Sequence, residues 1–171
     1  MYKKEFDIFF CDIIGTFTSD DLINRHDELI KFINTLEYLS NNKLIFCFIS
    51  TLPLTDFNHF FKEFKKYKTN KIVLGKQFFE DDAEFKYYSI LNYLNELSTN
   101  YQINTCYYAD DTVLFHHLLH ELNENKYNIK SFIPGNEINI NNYFSSSNTG
   151  IVGLNNCIKE YLKSKSKILK I

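Results

Sequence analysis

Three stretches of the chain end an apolar run in residues able to do chemistry. They are Asp12, which precedes Ile13-Ile14-Gly15-Thr16, then Ser50 with Thr51, then Asp110 with Asp111. Carboxylates serve as nucleophiles and as hard oxygen ligands, and hydroxyls donate to anionic oxygens. Each stretch also has a plainer reading. An Asp ahead of a Gly-Thr turn supplies turn chemistry, Ser50-Thr51 can simply close a strand, and Asp111 or Thr112 can cap a helix. A further stretch, His116-His117-x-x-His120, sets two imidazoles four apart on a helical pattern. It has no acidic or Cys partner at suitable spacing, so a solvated or packed role is favoured over a metal site there.

These residues need a scaffold that brings them together. Five short runs, Phe6–Cys11, Lys43–Ile49, Lys71–Leu74, Ile103–Ala109 and Asn128–Ile133, are continuously apolar, not alternating, as strands buried on both faces are. Between and after them, His26–Leu39, Thr55–Tyr67, Ala83–Leu97, Val113–Asn123 and Gly150–Lys163 carry apolar residues at three- and four-residue intervals, with Ser147 or Asn148 placed to cap the last. Strands alternating with helices imply a parallel sheet covered on both faces. The polar stretch Pro134–Ser147 reads as a loop, and Lys159–Lys170 as a helix end running into a mobile tail. The expected fold is α/β, a three-layer Rossmann-like domain spanning residues 1–171, with about five parallel strands. Such sheets bind ligands outside the carboxyl ends of their strands, where two acids and a hydroxyl would share one crevice.

The order Phe9-Phe10-Cys11-Asp12-Ile13-Ile14-Gly15-Thr16, Phe48-Ile49-Ser50-Thr51, Lys86, Tyr107-Tyr108-Ala109-Asp110-Asp111 resembles the motifs of the haloacid dehalogenase-like (HAD) hydrolase superfamily. The likeness covers the chain from about Phe6 to Asn123. It implies a phosphohydrolase in which Asp12 attacks phosphorus to give an aspartyl-phosphate that water hydrolyses. It also implies Mg²⁺ held by the Asp12 carboxylate, the backbone carbonyl of Ile14, and Asp110 or Asp111. Ser50 or Thr51 would donate to the phosphoryl oxygens, and Lys86, with Lys76 as the other candidate, would neutralise their charge.

One residue departs from that pattern. HAD phosphatases carry a second Asp at the position of Ile14, as general acid for the leaving group and base for water. Ile14 moves no proton, and loss of a positioned acid–base costs about 10²–10⁴ in rate. The loss falls hardest on alkyl esters and lightly on acyl phosphates, anhydrides and aryl phosphates, which leave unaided. The alternative is a catalytically degenerate HAD-like protein serving as a binding or regulatory scaffold. Thirty-eight positions separate Asp12 from Ser50 and 36 separate Ser50 from Lys86, too few for a cap domain. An open crevice suits a large or macromolecular phosphorylated substrate, or a homo-oligomer or partner protein that closes it.

Composition bounds the remaining classes. At 171 residues with 44% hydrophobic and 23% charged residues, the chain can bury a core and is not of disordered type. A net charge of −2 argues against a nucleic-acid binder held by a strong positive field, and Lys62–Lys68, which mixes Lys with aromatics, reads as a solvated helix face. The first apolar run stops at Asp12, short of a signal peptide, and no run approaches a membrane span. Four cysteines without zinc or CxxC spacing fit a reducing, cytoplasmic setting.

Overall fold

The computed structural model describes residues 2–13, 15–17, 26–39, 43–50, 72–73 and 82–168. In chain order these form β1 (Lys4–Cys11), α1 (His26–Leu39), β2 (Lys43–Ser50), β3 (Ile72–Val73), α2 (Asp82–Ser98), β4 (Tyr101–Ala109), α3 (Val113–Leu122), β5 (Asn128–Pro134), β6 (Tyr143–Ser146) and α4 (Gly150–Ile168). The strands build one sheet in the order β3-β2-β1-β4-β5-β6, parallel at every pairing. The expected helix Thr55–Tyr67, with the Lys62–Lys68 run, lies outside the described residues.

Both faces of the sheet are covered, as the continuously apolar strands require. Alternate side chains go to opposite sides. Phe9, Cys11, Phe46, Phe48, Tyr107 and Phe132 pack with Leu29, Phe32 and Leu36 of α1 and with Leu154, Ile158 and Tyr161 of α4. On the other side Phe6, Ile8, Phe10, Ile45, Cys47, Cys106 and Tyr108 pack with Ile90 and Leu94 of α2 and Leu119 of α3. The result is a three-layer, Rossmann-like α/β domain, with no cap among the described residues. All four cysteines are buried and free, and no described helix is long and apolar enough to cross a membrane.

Two expectations change at the C-terminal side. The Pro134–Ser147 stretch contains a sixth strand, β6, which runs parallel to β5 with Phe132 opposite Phe144. The segment joining them folds back along β6: the Asn136 N–H donates to the Ser146 carbonyl at 2.9 Å, and Ser145 Oγ meets both the N–H and the carbonyl of Ile138. An edge strand is thereby shielded from pairing with another chain. Helix α4 also runs on to Ile168, so most of the Lys-rich tail is helical.

Aromatic rings fill the core. Phe9 lies 5.3 to 5.9 Å, centroid to centroid, from the rings of Phe32, Phe46, Tyr107 and Phe132, joining α1, β2, β4 and β5 at one point. Truncating it removes four ring contacts and leaves a large cavity. Phe9→Ala is expected to cost about 3–5 kcal/mol, read as a lower denaturation midpoint at unchanged slope.

Candidate functional site

The sheet order reverses between β1 and β4. From β1 the chain proceeds outward through β2 and β3, and from β4 outward through β5 and β6. A crevice opens at such a switch point, beyond the carboxyl ends of the two central strands. Asp12 follows β1 directly, and Asp110 follows β4 directly.

Register and alternation bring these two acids together. Phe10 pairs with Tyr108 and Cys11 with Ala109, and the ladder continues one residue further. The Asp12 N–H donates to the Ala109 carbonyl at 2.9 Å, and the Asp110 N–H to the Phe132 carbonyl at 3.2 Å. Asp12 continues the side of Phe10, and Asp110 the side of Tyr108, which is the face covered by α2 and α3. Lys86, in the first turns of α2, comes down onto that face. Its ammonium sits 2.8 Å from Asp12 Oδ1 and 2.7 Å from Asp110 Oδ2, and 4.8 Å from the centroid of the Phe115 ring. Lys86, Asp12 and Asp110 are all buried.

The neighbouring donors fix the carboxylates. Asp110 Oδ2 also accepts from the Tyr108 hydroxyl at 2.8 Å, and its Oδ1 from the Thr112 N–H at 2.9 Å. The His116 ring donates from Nε2 to the Asp110 carbonyl at 2.8 Å. Because a carbonyl only accepts, this is the Nε2–H tautomer, and burial lowers the His116 pKa to about 4, so the ring is neutral. Thr16 Oγ1 donates to Asp12 Oδ2 at 3.2 Å and accepts from the Asp111 N–H at 2.8 Å. Asp111 itself is partly exposed, and its carboxylate lies against Gly15. A Cβ at residue 15 would stand 2.5 Å from Asp111 Oδ2, and φ there is +82°, so only glycine suits the position.

Carboxylate oxygens of Asp12, Asp110 and Asp111 lie within 4.8 Å of one another. With Lys86 the only cation bonded to them among the described residues, three carboxylates face one ammonium, an excess of two negative charges. The titration of the cluster reflects that excess. Burial and the Asp110 charge push Asp12 up from 3.8 to about 7, and Lys86 only partly opposes them. Burial and Asp110 raise Asp111 as well. Lys86 is raised: burial alone would lower it, but Asp110 and Asp12 outweigh burial and keep it charged.

The chain matches no protein-family model, no curated protein and no solved structure. Function therefore rests on the site.

Of the residues expected from sequence, Asp12, Lys86, Asp110 and Asp111 meet in one cluster. Ser50 ends β2 and is buried. Thr51, Ile14 and Lys76 lie outside the described residues. The histidines do not converge: His117 Nδ1 meets the Tyr143 hydroxyl, His120 Nε2 meets Ser131 Oγ, and only His116 reaches the cluster. Tyr108 and Thr16 also join the cluster, and the motif pattern gives neither a role. Tyr108 was findable, because it stands two residues before Asp110 on one strand and so shares its face.

Two outcomes follow. Lys86→Met leaves two buried carboxylates facing each other and is expected to cost about 3–5 kcal/mol. For the wild-type chain in chelator, Asp12 has a folded pKa above its unfolded value. Its contribution to stability is complete below pH 3.8 and is lost as pH rises through about 7. The melting temperature in chelator should fall across that window, and a divalent cation should flatten the fall.

Proposed function

We propose that the chain is a HAD-like phosphohydrolase that depends on a divalent cation and works through an aspartyl-phosphate on Asp12. The supporting observation is the convergence of Asp12, Lys86 and the Asp110-Asp111 pair at the switch point, in the chain order that the family resemblance implies. The donor set fits a hard cation: it is all oxygen, and its excess of two negative charges is what a divalent ion neutralises. Mg²⁺ is the ion the resemblance implies.

The two consecutive acids would divide the work. Asp110 already receives Lys86 and the Tyr108 hydroxyl on one oxygen and the Thr112 N–H on the other. Asp111 keeps Oδ2 without a hydrogen bond among the described residues. Asp12 and Asp111 would therefore hold the cation, and Asp110 would anchor Lys86. When bound, the cation would draw charge from the phosphoryl oxygens.

Asp12 would then attack phosphorus, the P–O bond to the leaving group would break, and the leaving oxygen would keep the electron pair. Lys86, pinned by two carboxylates, would meet a phosphoryl oxygen without having to reorganise. Water attack on the aspartyl-phosphate would return the Asp12 carboxylate, both protons of that water leaving on dihydrogen phosphate. Ile14 favours a second reading, a catalytically degenerate scaffold on the same site.

Hydrolysis of acetyl phosphate separates the two. The hydrolase reading expects turnover that needs a divalent cation and disappears in Asp12→Asn. A rate indistinguishable between the two proteins would leave the scaffold. In calorimetric titration with Mg²⁺, Asp111→Asn should weaken binding by at least about tenfold, whereas Asp110→Asn should mainly lower the melting temperature.

A further inference from the structure

We propose that the groove between α1 and α4 docks an acidic amphipathic helix of a partner protein. The proposal is independent of the reaction at Asp12, whose side chain belongs to the other face of the sheet.

Two side-chain contacts set the geometry. Near the start of α4, Asn155 Nδ2 donates to the Glu28 carbonyl at 3.0 Å and to Glu28 Oε2 at 2.7 Å. Near its end, Lys165 Nζ donates to the Leu39 carbonyl at 3.4 Å. Glu28 and Leu39 stand at the two ends of α1, so the helices run parallel. Between them lies a groove of about 410 Å³, lined by Lys31 and Thr35 on one wall and by Asn155, Lys159, Leu162 and Lys163 on the other, and reaching Ser166. From Asn155 to Ser166 is eleven steps of about 1.5 Å, or about 16 Å, the length of three helical turns.

The lining is cationic. Three of its residues are lysines and none is an acid. Lys31 and Lys163 pair along their own helices with Glu28 at 3.7 Å and Glu160 at 2.6 Å, and Glu160 lines the depression on the far flank of α4. Lys159 is exposed and has no ion pair among the described residues. The offset that sets Asn155 beside Glu28 places Lys31 level with Lys159, and Thr35 level with Leu162 and Lys163. Cations therefore stand on both walls, with the half-buried Leu162 between them. Asn155 makes a further demand. It is 5% exposed, both of its contacts use Nδ2, and its Oδ1 has no hydrogen-bond partner among the described residues. An occupant that brings an N–H or O–H to that end would satisfy it.

The spacing of these groups selects the occupant. The lysines are strung along the groove and do not converge on one point, so they suit a row of separate negative charges. A helix with Asp or Glu at i, i+4 and i+7 supplies such a row, and a Leu or Ile between them covers Leu162. Nucleic acid is the poorer match. The groove has neither an aromatic ring on which a base could stack nor an arginine among its lining residues.

The test is selection of helical peptides about 16 residues long, randomised at their exposed positions, on the full wild-type chain. The best binder is then measured by fluorescence anisotropy. Enriched peptides should carry acids at i, i+4 and i+7 around one aliphatic residue, and binding should weaken between about 50 mM and about 300 mM salt. The triple variant Lys31→Glu, Lys159→Glu, Lys163→Glu should raise the Kd at least about tenfold. Thr35→Trp fills the groove and leaves all three charges in place, and it should do the same at an unchanged melting temperature. Enrichment of no peptide, enrichment without an acidic pattern, or a Kd unmoved in Thr35→Trp would overturn the proposal. So would a single-stranded oligonucleotide that binds more tightly than the selected peptide and is lost in the same variants, which would give the groove to nucleic acid. Acetyl phosphate turnover and its loss in Asp12→Asn stand or fall separately from all of these outcomes.

Discussion

One buried ammonium holds the centre of this molecule. Asp12 and Asp110 end neighbouring strands, whose spacing is about 4.8 Å. At an effective dielectric constant of about 20 their carboxylates would repel by about 3 kcal/mol. The two contacts of Lys86 are worth about 6 kcal/mol each on the same scale, which settles the sign of the local electrostatics. They must also offset the desolvation of three ions, at several kcal/mol apiece. The cluster is therefore a poor means of stabilising a fold. A hydrophobic trio of the same volume would do as well, and it would not leave Asp111 beside the cluster as a further unneutralised acid.

The rest of the architecture can be traced from that cluster. Lys86 reaches both acids only because α2 packs on the face to which Asp12 and Asp110 both point. They share that face because β1 and β4 are parallel and paired in a register that sets Phe10 opposite Tyr108. The register is carried past the ends of the strands by the backbone bonds of Asp12 and Asp110. A slip of one residue in either strand would send one carboxylate to the α1–α4 face, into a layer of phenylalanines. The aromatic packing around Phe9 resists that slip, since it locks β1 to β2, β4 and β5 on the opposite side of the sheet. Core and site are thus two faces of one register.

This also explains what could be read from the sequence. The central strands and α1 were legible because burial on both faces leaves unbroken apolar runs, and Asp12 and Asp110 stood out as the acids that end such runs. Strand β6 was not legible. Tyr143-Phe144-Ser145-Ser146 holds only two apolar residues within an Asn- and Ser-rich stretch, and what makes it a strand is pairing with β5, a tertiary fact. The last turns of α4 are polar and amphipathic only weakly, so the helix reads shorter than it is. Lys86 was favoured over Lys76 for its place at the start of the helix that precedes β4. That this helix sets its ammonium between Asp12 and Asp110 is a tertiary fact, which no local pattern encodes.

Asp110 and Asp111 show how far one residue of chain direction can separate two identical side chains. Strand alternation still governs Asp110, so it points toward α2 and α3, buries completely, and has both oxygens taken by Lys86, Tyr108 and the backbone of Thr112. At Asp111 the strand has ended and the chain turns. Its N–H goes to the Thr16 hydroxyl, and its carboxylate comes to rest against the one residue of the β1 loop that lacks a side chain. The first acid is enclosed and cannot exchange partners without breaking the core. The second remains open to solvent, next to an Asp12 whose charge is only partly balanced. A site needs both kinds of group: one acid that fixes the cation of the protein, and one that is left to meet whatever comes from outside.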